Sequence, residues 1–359
     1  MMFVQSNSSL SRRFWVVTPL VLTVGTIILS SRGMVVSVPR FSAEQGLTCG
    51  ECHFAPTGGA MRNEYGHFTM SVNELTLEAT KKKVLASYKG PRLSESAMIG
   101  ADIRWKGTTD GSFQRYQTNF YFSYEPLSHS YFNLNFTSGG IDESYFLLGN
   151  TNNSVYAQFG RMYPAFGIRY EDPNAHVRLR SGYPHGKSVD GLSLGARALG
   201  HEFQLTAYAG QQGQNVGLVN VARYAWIGPL SYMYGASWSQ SERVKGYYGS
   251  NLPAKAAYAG VGWKGHSAMY EFDLVGEVDQ TYAMLAAVTA KFAHGVWAHV
   301  DYNFLEPDRR YTSGIDEFFR FALEVWPMPF VELSPTLIAH TEGPRHGERD
   351  YEFLAHVAF

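Results

Sequence analysis

The chain is poor in cysteine, with two among 359 residues, and poor in charge, with 17% of its residues Asp, Glu, Lys or Arg. Two cysteines allow at most one disulfide, and the sparse charge builds no basic patch that would imply a nucleic-acid partner. Beyond its first 37 residues the sequence lacks any apolar stretch near the roughly 18 to 20 residues that a membrane-spanning helix needs. A membrane crossing would have to be made by strands. There is no H-E-x-x-H, no P-loop, and no local grouping of Ser, His and Asp that argues for hydrolysis.

Acidic residues are missing altogether from residues 1–37, which carry Arg12, Arg13 and Arg32 around an almost unbroken apolar run from Phe14 to Ser30. A positive start, a short apolar centre and the small residue Ser37 before Val38 predict a secretory signal peptide over 1–37, with retention as an anchor as the alternative. The remainder holds 27 basic against 31 acidic side chains and is mildly acidic. Nothing in it reads as an interdomain linker, so one large architecture is the simpler expectation.

What the chain has in abundance is aromatic residues and glycine: Tyr 23, Phe 23, Trp 7 and Gly 36. That mixture suits many strands joined by tight turns and leans toward a barrel with aromatic girdles rather than a soluble β-sandwich. The strands are legible as period-2 alternation. Tyr116, Thr118, Phe120, Phe122 and Tyr124 oppose Gln117, Asn119, Tyr121, Ser123 and Glu125; Phe132, Leu134 and Phe136 oppose Asn133 and Asn135. Tyr270, Phe272 and Leu274 oppose Glu271 and Asp273, and Val296, Ala298 and Val300 oppose His299 and Asp301. The last strand, Tyr351 to Phe359, ends on an aromatic, as strands that close bacterial outer-membrane barrels do.

Counting such segments over 96–359 predicts a transmembrane β-barrel of about sixteen antiparallel strands. Compact turns at Glu125 to His129, Asn150 to Asn153, Leu199 to His201, Gly228-Pro229, Lys264 to Ser267, Ala293 to Gly295 and Pro327 to Pro329 alternate with mostly longer ones, of which Tyr163 to Asp190 is the longest. Short periplasmic turns and longer external loops place both termini in the periplasm of an outer-membrane protein.

One motif carries chemistry. Cys49-Gly50-Glu51-Cys52-His53 is C-x-x-C-H and uses both cysteines. Two thiols at this spacing add across the vinyl groups of a haem, and the adjacent imidazole reaches the iron as proximal ligand. A local disulfide and a zinc site are the competing readings. The expected cofactor is one covalent haem c, on a segment spanning 38–95. For the sixth position His67 is preferred, with Met61 and Met70 as alternatives; bis-His ligation would give a lower potential than His/Met.

Val38, Pro39 and Phe41, then C-x-x-C-H followed by Phe54, then Asn63, Tyr65 and Gly66 together resemble the N-terminal pattern of the fused cytochrome-porin family, whose iron-oxidising members join a short monohaem segment to an outer-membrane barrel. The resemblance is specific over Val38 to Phe68 and architectural across the barrel. It implies electron transfer between an extracellular donor, ferrous iron among them, and a periplasmic carrier, with the segment plugging the lumen. A diffusion porin whose haem segment is a plug or redox sensor is the alternative, and a haem-dependent peroxidase is a third reading without a distal acid-base pair to support it. Gly160-Arg161 through Pro164, Phe166, Gly167 and Arg169 is like a loop of several porin families.

Two further groups stand out. Glu271, Asp273, Glu277 and Asp279 would form an acidic stripe on the lumen, able to attract a divalent cation but ordinary in any porin. Arg161, Arg169, Arg178 and Arg180 cluster in the longest connection, where they would hold haem propionates or narrow the pore.

Overall fold

The computed structural model describes residues 39–359 apart from 60, 86–89, 110, 138, 151–153, 171, 173, 180–187, 210–214, 242–252, 277–280 and 310–313. The expected signal peptide, Val38, Arg180, Glu277 and Asp279 lie outside the described residues.

Sixteen antiparallel strands, β1 to β16 in chain order, close into one barrel. Every strand pairs with its chain neighbours, and the seam is made by β1 (Ala97–Gly107) against β16 (Arg349–Ala358), with Asp102 opposite Ala358 and Gly107 opposite Phe353. The terminal Phe359 extends that seam: its N–H donates to Ala101 O at 3.0 Å and its carbonyl accepts from Ala101 N–H at 2.8 Å. Closure leaves no open sheet edge.

The alternation read from the sequence sets which face is which. In β2 (Phe113–Leu127) Phe120 and Tyr124 are 53% and 43% exposed on the outer surface, whereas Asn119, Tyr121 and Ser123 are buried toward the lumen. Asn133, Asn135, Glu271, Asp273, His299 and Asp301 likewise point inward, as expected. The outer face carries aromatic rows such as Phe132, Phe146 and Phe159, with centroids 4.8 and 5.3 Å apart.

Seven short turns share one rim with the start of β1 and the end of β16. Two of them, Leu199-Gly200 and Lys264-Gly265, have positive φ at both central residues, the backbone of the type I′ turn that suits the twist of tight hairpins. The other rim carries the mostly longer connections. The longest, between β5 (Val155–Met162) and β6 (Val189–Ala198), folds inward rather than outward. Its Gly167 N–H donates to Ser237 Oγ of β9 (Leu230–Ser241) at 3.0 Å, Ile168 N–H to Glu271 Oε2 of β11 (His266–Val275) at 3.0 Å, and Tyr170 hydroxyl to Asp301 Oδ1 of β13 (Val296–Glu306) at 2.5 Å. A short helix, α3 (His176–Leu179), ends the described part of this loop.

Ahead of the barrel, α1 (Pro39–Gln45), a 3₁₀ turn at Cys49–Glu51, a π-helix at Tyr65–Glu74 and α2 (Glu78–Leu85) follow one another. Proline at the first position of α1 spares an N–H that a helix cannot pair. Gly46 stops the helix with φ +58°, and a Cβ there would meet Trp226 Nε1 at 2.9 Å. The segment lies against inward-facing wall residues: Ser231 hydroxyl reaches the carbonyls of Ala43 and Glu44 at 2.5 Å, and Gly262 has no side chain where Glu44 Cα passes. α1 is fixed to the wall by a buried ion pair. Arg40 Nη1 and Nη2 donate to Glu324 of β14 (Asp316–Met328) at 2.8 and 2.7 Å, and Glu324 also receives Trp326 Nε1 at 2.6 Å, with His299 Nε2 at 2.9 Å.

Candidate functional site

The C-x-x-C-H motif forms a tight turn whose backbone bonds to itself: Cys52 and His53 N–H donate to Cys49 O at 3.2 and 3.1 Å. Thr48 and Glu51 cap it, the Thr48 N–H donating to Glu51 Oε2 at 2.7 Å. A clamp holds it from outside. Asn63 Nδ2 donates to Glu51 O and Asn63 N–H to Cys52 O, both at 3.0 Å, while Gly66 N–H donates to Asn63 Oδ1 at 3.0 Å. A Cβ on Gly66 would stand 2.1 Å from Cys52 O. The N-x-aromatic-G string is therefore the brace of the thiol-bearing turn, a role that spacing alone did not give.

Cys49 and His53 border a cavity of about 280 Å³ inside the wall, and Phe41, Met70, Leu75 and Trp326 border it too. Cys52 lies just behind, buried in one cluster with those four residues and Trp297. The cavity continues past Asp102 and Arg104 to Lys106, Tyr116 and Glu352 near the long-loop rim, where Lys106 pairs with Glu352 at 2.5 Å.

Burial pushes the Cys49 thiol up, with the charge of Glu202 adding to the effect, so the thiol rather than a metal-binding thiolate is favoured. Burial lowers the His53 imidazole to about 3, and Arg62 and Arg169 lower it further. The ring is neutral at physiological pH, the form that ligates iron. Among the described residues no group of three or more His, Cys, Asp or Glu is gathered to hold a metal ion directly.

The three candidates for a sixth ligand part company. Met70 borders the cavity. His67, preferred from the sequence, is buried with its ring stacked 4.7 Å from Phe330 of the β14–β15 turn and edge-on to Phe68; it does not border the cavity. Met61 packs with Met98 and Tyr121. The cause is the winding of Tyr65–Glu74, which is π rather than α: Leu75 N–H donates to Met70 O. A π-turn changes which residues share a face, so spacing did not reveal it.

The arginine cluster also divides. Arg161 pairs with Asp190 at 2.9 Å on an exposed stretch, whereas Arg169 reaches inward to Thr57 Oγ1 at 2.7 Å and Gly58 O at 2.8 Å. Arg178 is buried on α3 facing Glu271 and Asp273. A G-x-S-x-G string, Gly191 to Gly195, runs through the middle of β6, where Ser193 accepts a hydrogen bond from Thr206 at 3.0 Å. It forms no strand-to-helix elbow and carries no hydrolase signature.

No protein-family model and no curated protein matches the sequence. Solved structures do resemble the fold. A loop L8 deletion mutant of OmpT, an outer membrane protein of Vibrio cholerae, is 12% identical with a TM-score of 0.53, covering 74% of this chain and 99% of that one. Pseudomonas putida OprB at low pH is 9% identical with a TM-score of 0.54, covering 78% and 95%. The outer membrane channel DcaP of Acinetobacter baumannii is 10% identical with a TM-score of 0.50, covering 76% and 100%. In each case the aligned part falls short of the full chain, and what is shared is the closed antiparallel barrel of outer-membrane porins.

Proposed function

We propose that this chain is an outer-membrane electron conduit: a lipid-embedded barrel whose N-terminal segment plugs the lumen and carries one haem c, linking an extracellular donor to a periplasmic carrier. The observation that supports it best is the meeting of Cys49, His53 and Met70 on one cavity inside the wall, with Cys52 buried just behind it. Large apolar side chains exposed on the outer face, such as Phe120, Leu194, Phe203, Trp238 and Leu323, are costly in water and at home in a bilayer. The short-turn rim, with both ends of the barrel chain, then faces the periplasm.

In this reading Cys49, Cys52, His53 and Met70 are the residues that would hold the haem, the cysteines through their sulfurs and His53 and Met70 through the iron. The haem supplies a one-electron couple, which His/Met ligation sets higher than bis-His would, keeping ferrous iron among the donors to try. Asn63 and Gly66 hold the turn so that the sulfurs and imidazole keep their relative positions. Phe41, Leu75 and Trp326 keep water from the cavity floor. The packing of α1 and the inward-folded β5–β6 loop against inward-facing wall residues supports a filled lumen over the open one that a diffusion porin needs.

The test is spectroscopic. Purified protein should show a low-spin c-type spectrum; Met70→Ala should convert it to a high-spin or water-ligated form, and His67→Ala should leave it low-spin. Protein without haem would refute the reading, and the reverse pattern in the two variants would return the ligand to His67.

A further inference from the structure

Around the cavity most cations have an anion. Arg40 pairs with Glu324 at 2.7 Å, Arg104 with Asp102 at 3.0 Å, Arg320 with Asp301 at 2.8 Å and Lys106 with Glu352 at 2.5 Å. Among the described residues Arg62, Arg169 and Arg178 are the exceptions; Arg178 faces Glu271 and Asp273, and Arg62 and Arg169 lie beside the motif. Among the described residues neither has a carboxylate within ion-pair distance: Arg62 Nη1 donates to the Ala358 carbonyl at 3.3 Å, and Arg169 Nη1 to Thr57 O, Thr57 Oγ1 and Gly58 O at 3.1, 2.7 and 2.8 Å. Arg169 is also spread over the Tyr163 ring at 4.8 Å.

Both belong to the immediate surroundings of His53. Arg62 is its β-bridge partner, and the charge of each guanidinium acts on its imidazole. Both border the same cavity as Cys49 and His53. Arg169 moreover has φ +48°, a left-handed backbone that a non-glycine residue holds only where its surroundings impose it. Both guanidiniums are half-buried; the carboxylates of Asp102 near Arg62 and of Asp142 and Glu143 near Arg169 act on them only from beyond ion-pair distance, so each keeps capacity for a directly bound carboxylate. A haem brings two carboxylates.

We propose that Arg62 and Arg169 receive the two propionate carboxylates of the haem, one each. The proposal rests on the haem reading of Cys49 and Cys52 and adds the residues that orient the group and tune it. A guanidinium matches a carboxylate with two parallel hydrogen bonds. Neutralising the propionates also removes negative charge that would favour the ferric state, so the pair raises the potential.

The measurement is an optical redox titration of the detergent-solubilised, haem-loaded full chain, with resonance Raman spectra of the propionate bending modes. Arg62→Gln and Arg169→Gln should each lower the reduced-to-oxidised ratio at fixed potential about tenfold, which is about 59 mV for a one-electron couple. The propionate bands should shift while the Soret maximum and covalent stain stay put. Arg62→Lys should recover most of the potential, and Arg161→Gln should change neither readout. Arg169→Gln also removes the contacts to Thr57 and Gly58; if it fails to accumulate, Arg62→Gln decides alone, since among the described residues the Arg62 guanidinium makes one hydrogen bond, to the Ala358 carbonyl. Unchanged potential and bands in Arg62→Gln overturn the proposal while leaving the haem reading intact. A wild-type chain with no haem removes both.

Discussion

Replacing Glu324 by alanine should release the N-terminal segment from the wall and leave the barrel standing. Arg40 is 3% exposed and its guanidinium is held bidentately by Glu324, so the alanine strands a buried cation. Removing one member of a buried pair costs about 3–5 kcal/mol, which multiplies the undocked population by roughly 10² to 10³. The sixteen-strand ladder does not depend on this contact. The variant should therefore keep the heat-modifiable migration of a folded barrel, while single-channel conductance in planar bilayers rises and α1 becomes open to protease. Because a buried pair replaced on both sides is often nearly neutral, Arg40→Met with Glu324→Gln should return conductance close to that of the parent. If single and double variants conduct alike, the ion pair is not the anchor.

Converting Cys49 and Cys52 together to serine should abolish haem staining on a denaturing gel. Thioether bonds survive unfolding, whereas a haem held through His53 alone leaves the denatured chain. Either single substitution should weaken the stain, because one link remains. Serine is close to cysteine in size and neither position lies in a barrel strand, so barrel yield should be unaffected. Undiminished staining of the double variant would exclude covalent attachment at this motif.

How far the sequence foretold this arrangement depended on how local each signal was. Strand alternation is local, and residues such as Phe120 against Asn119 fell on the predicted faces; the sixteen-strand count and the alternation of short and long turns followed from it. The inward fold of the β5–β6 loop did not, because Ile168 finds Glu271 103 positions away and nothing within the loop encodes that. Arg40 appeared only as a filler in the V-P-x-F start, and its partner lies 284 positions on. The sequence preferred His67, with Met61 and Met70 as alternatives, and its spacing did not reveal the π-turn at Tyr65–Glu74 that sets which of them borders the cavity. Arg62 was missed: between Met61 and Asn63 it carries no pattern, and its place beside His53 and on the cavity appears only in three dimensions.

An electron conduit of this kind should pass electrons rather than solutes. A hydrocarbon layer of about 25 Å is too thick for useful single-step exchange between soluble partners on its two sides, so a redox group must be held within it. The most direct measurement uses proteoliposomes containing a trapped acceptor and an external reductant that cannot permeate, with ferrous iron among those tried. The full chain should reduce the trapped acceptor without releasing a small entrapped dye, and the Cys49→Ser/Cys52→Ser chain should do neither. Transfer that persists in the double variant, or an intact chain that leaks dye while passing no electrons, would contradict the account and leave a diffusion porin in its place.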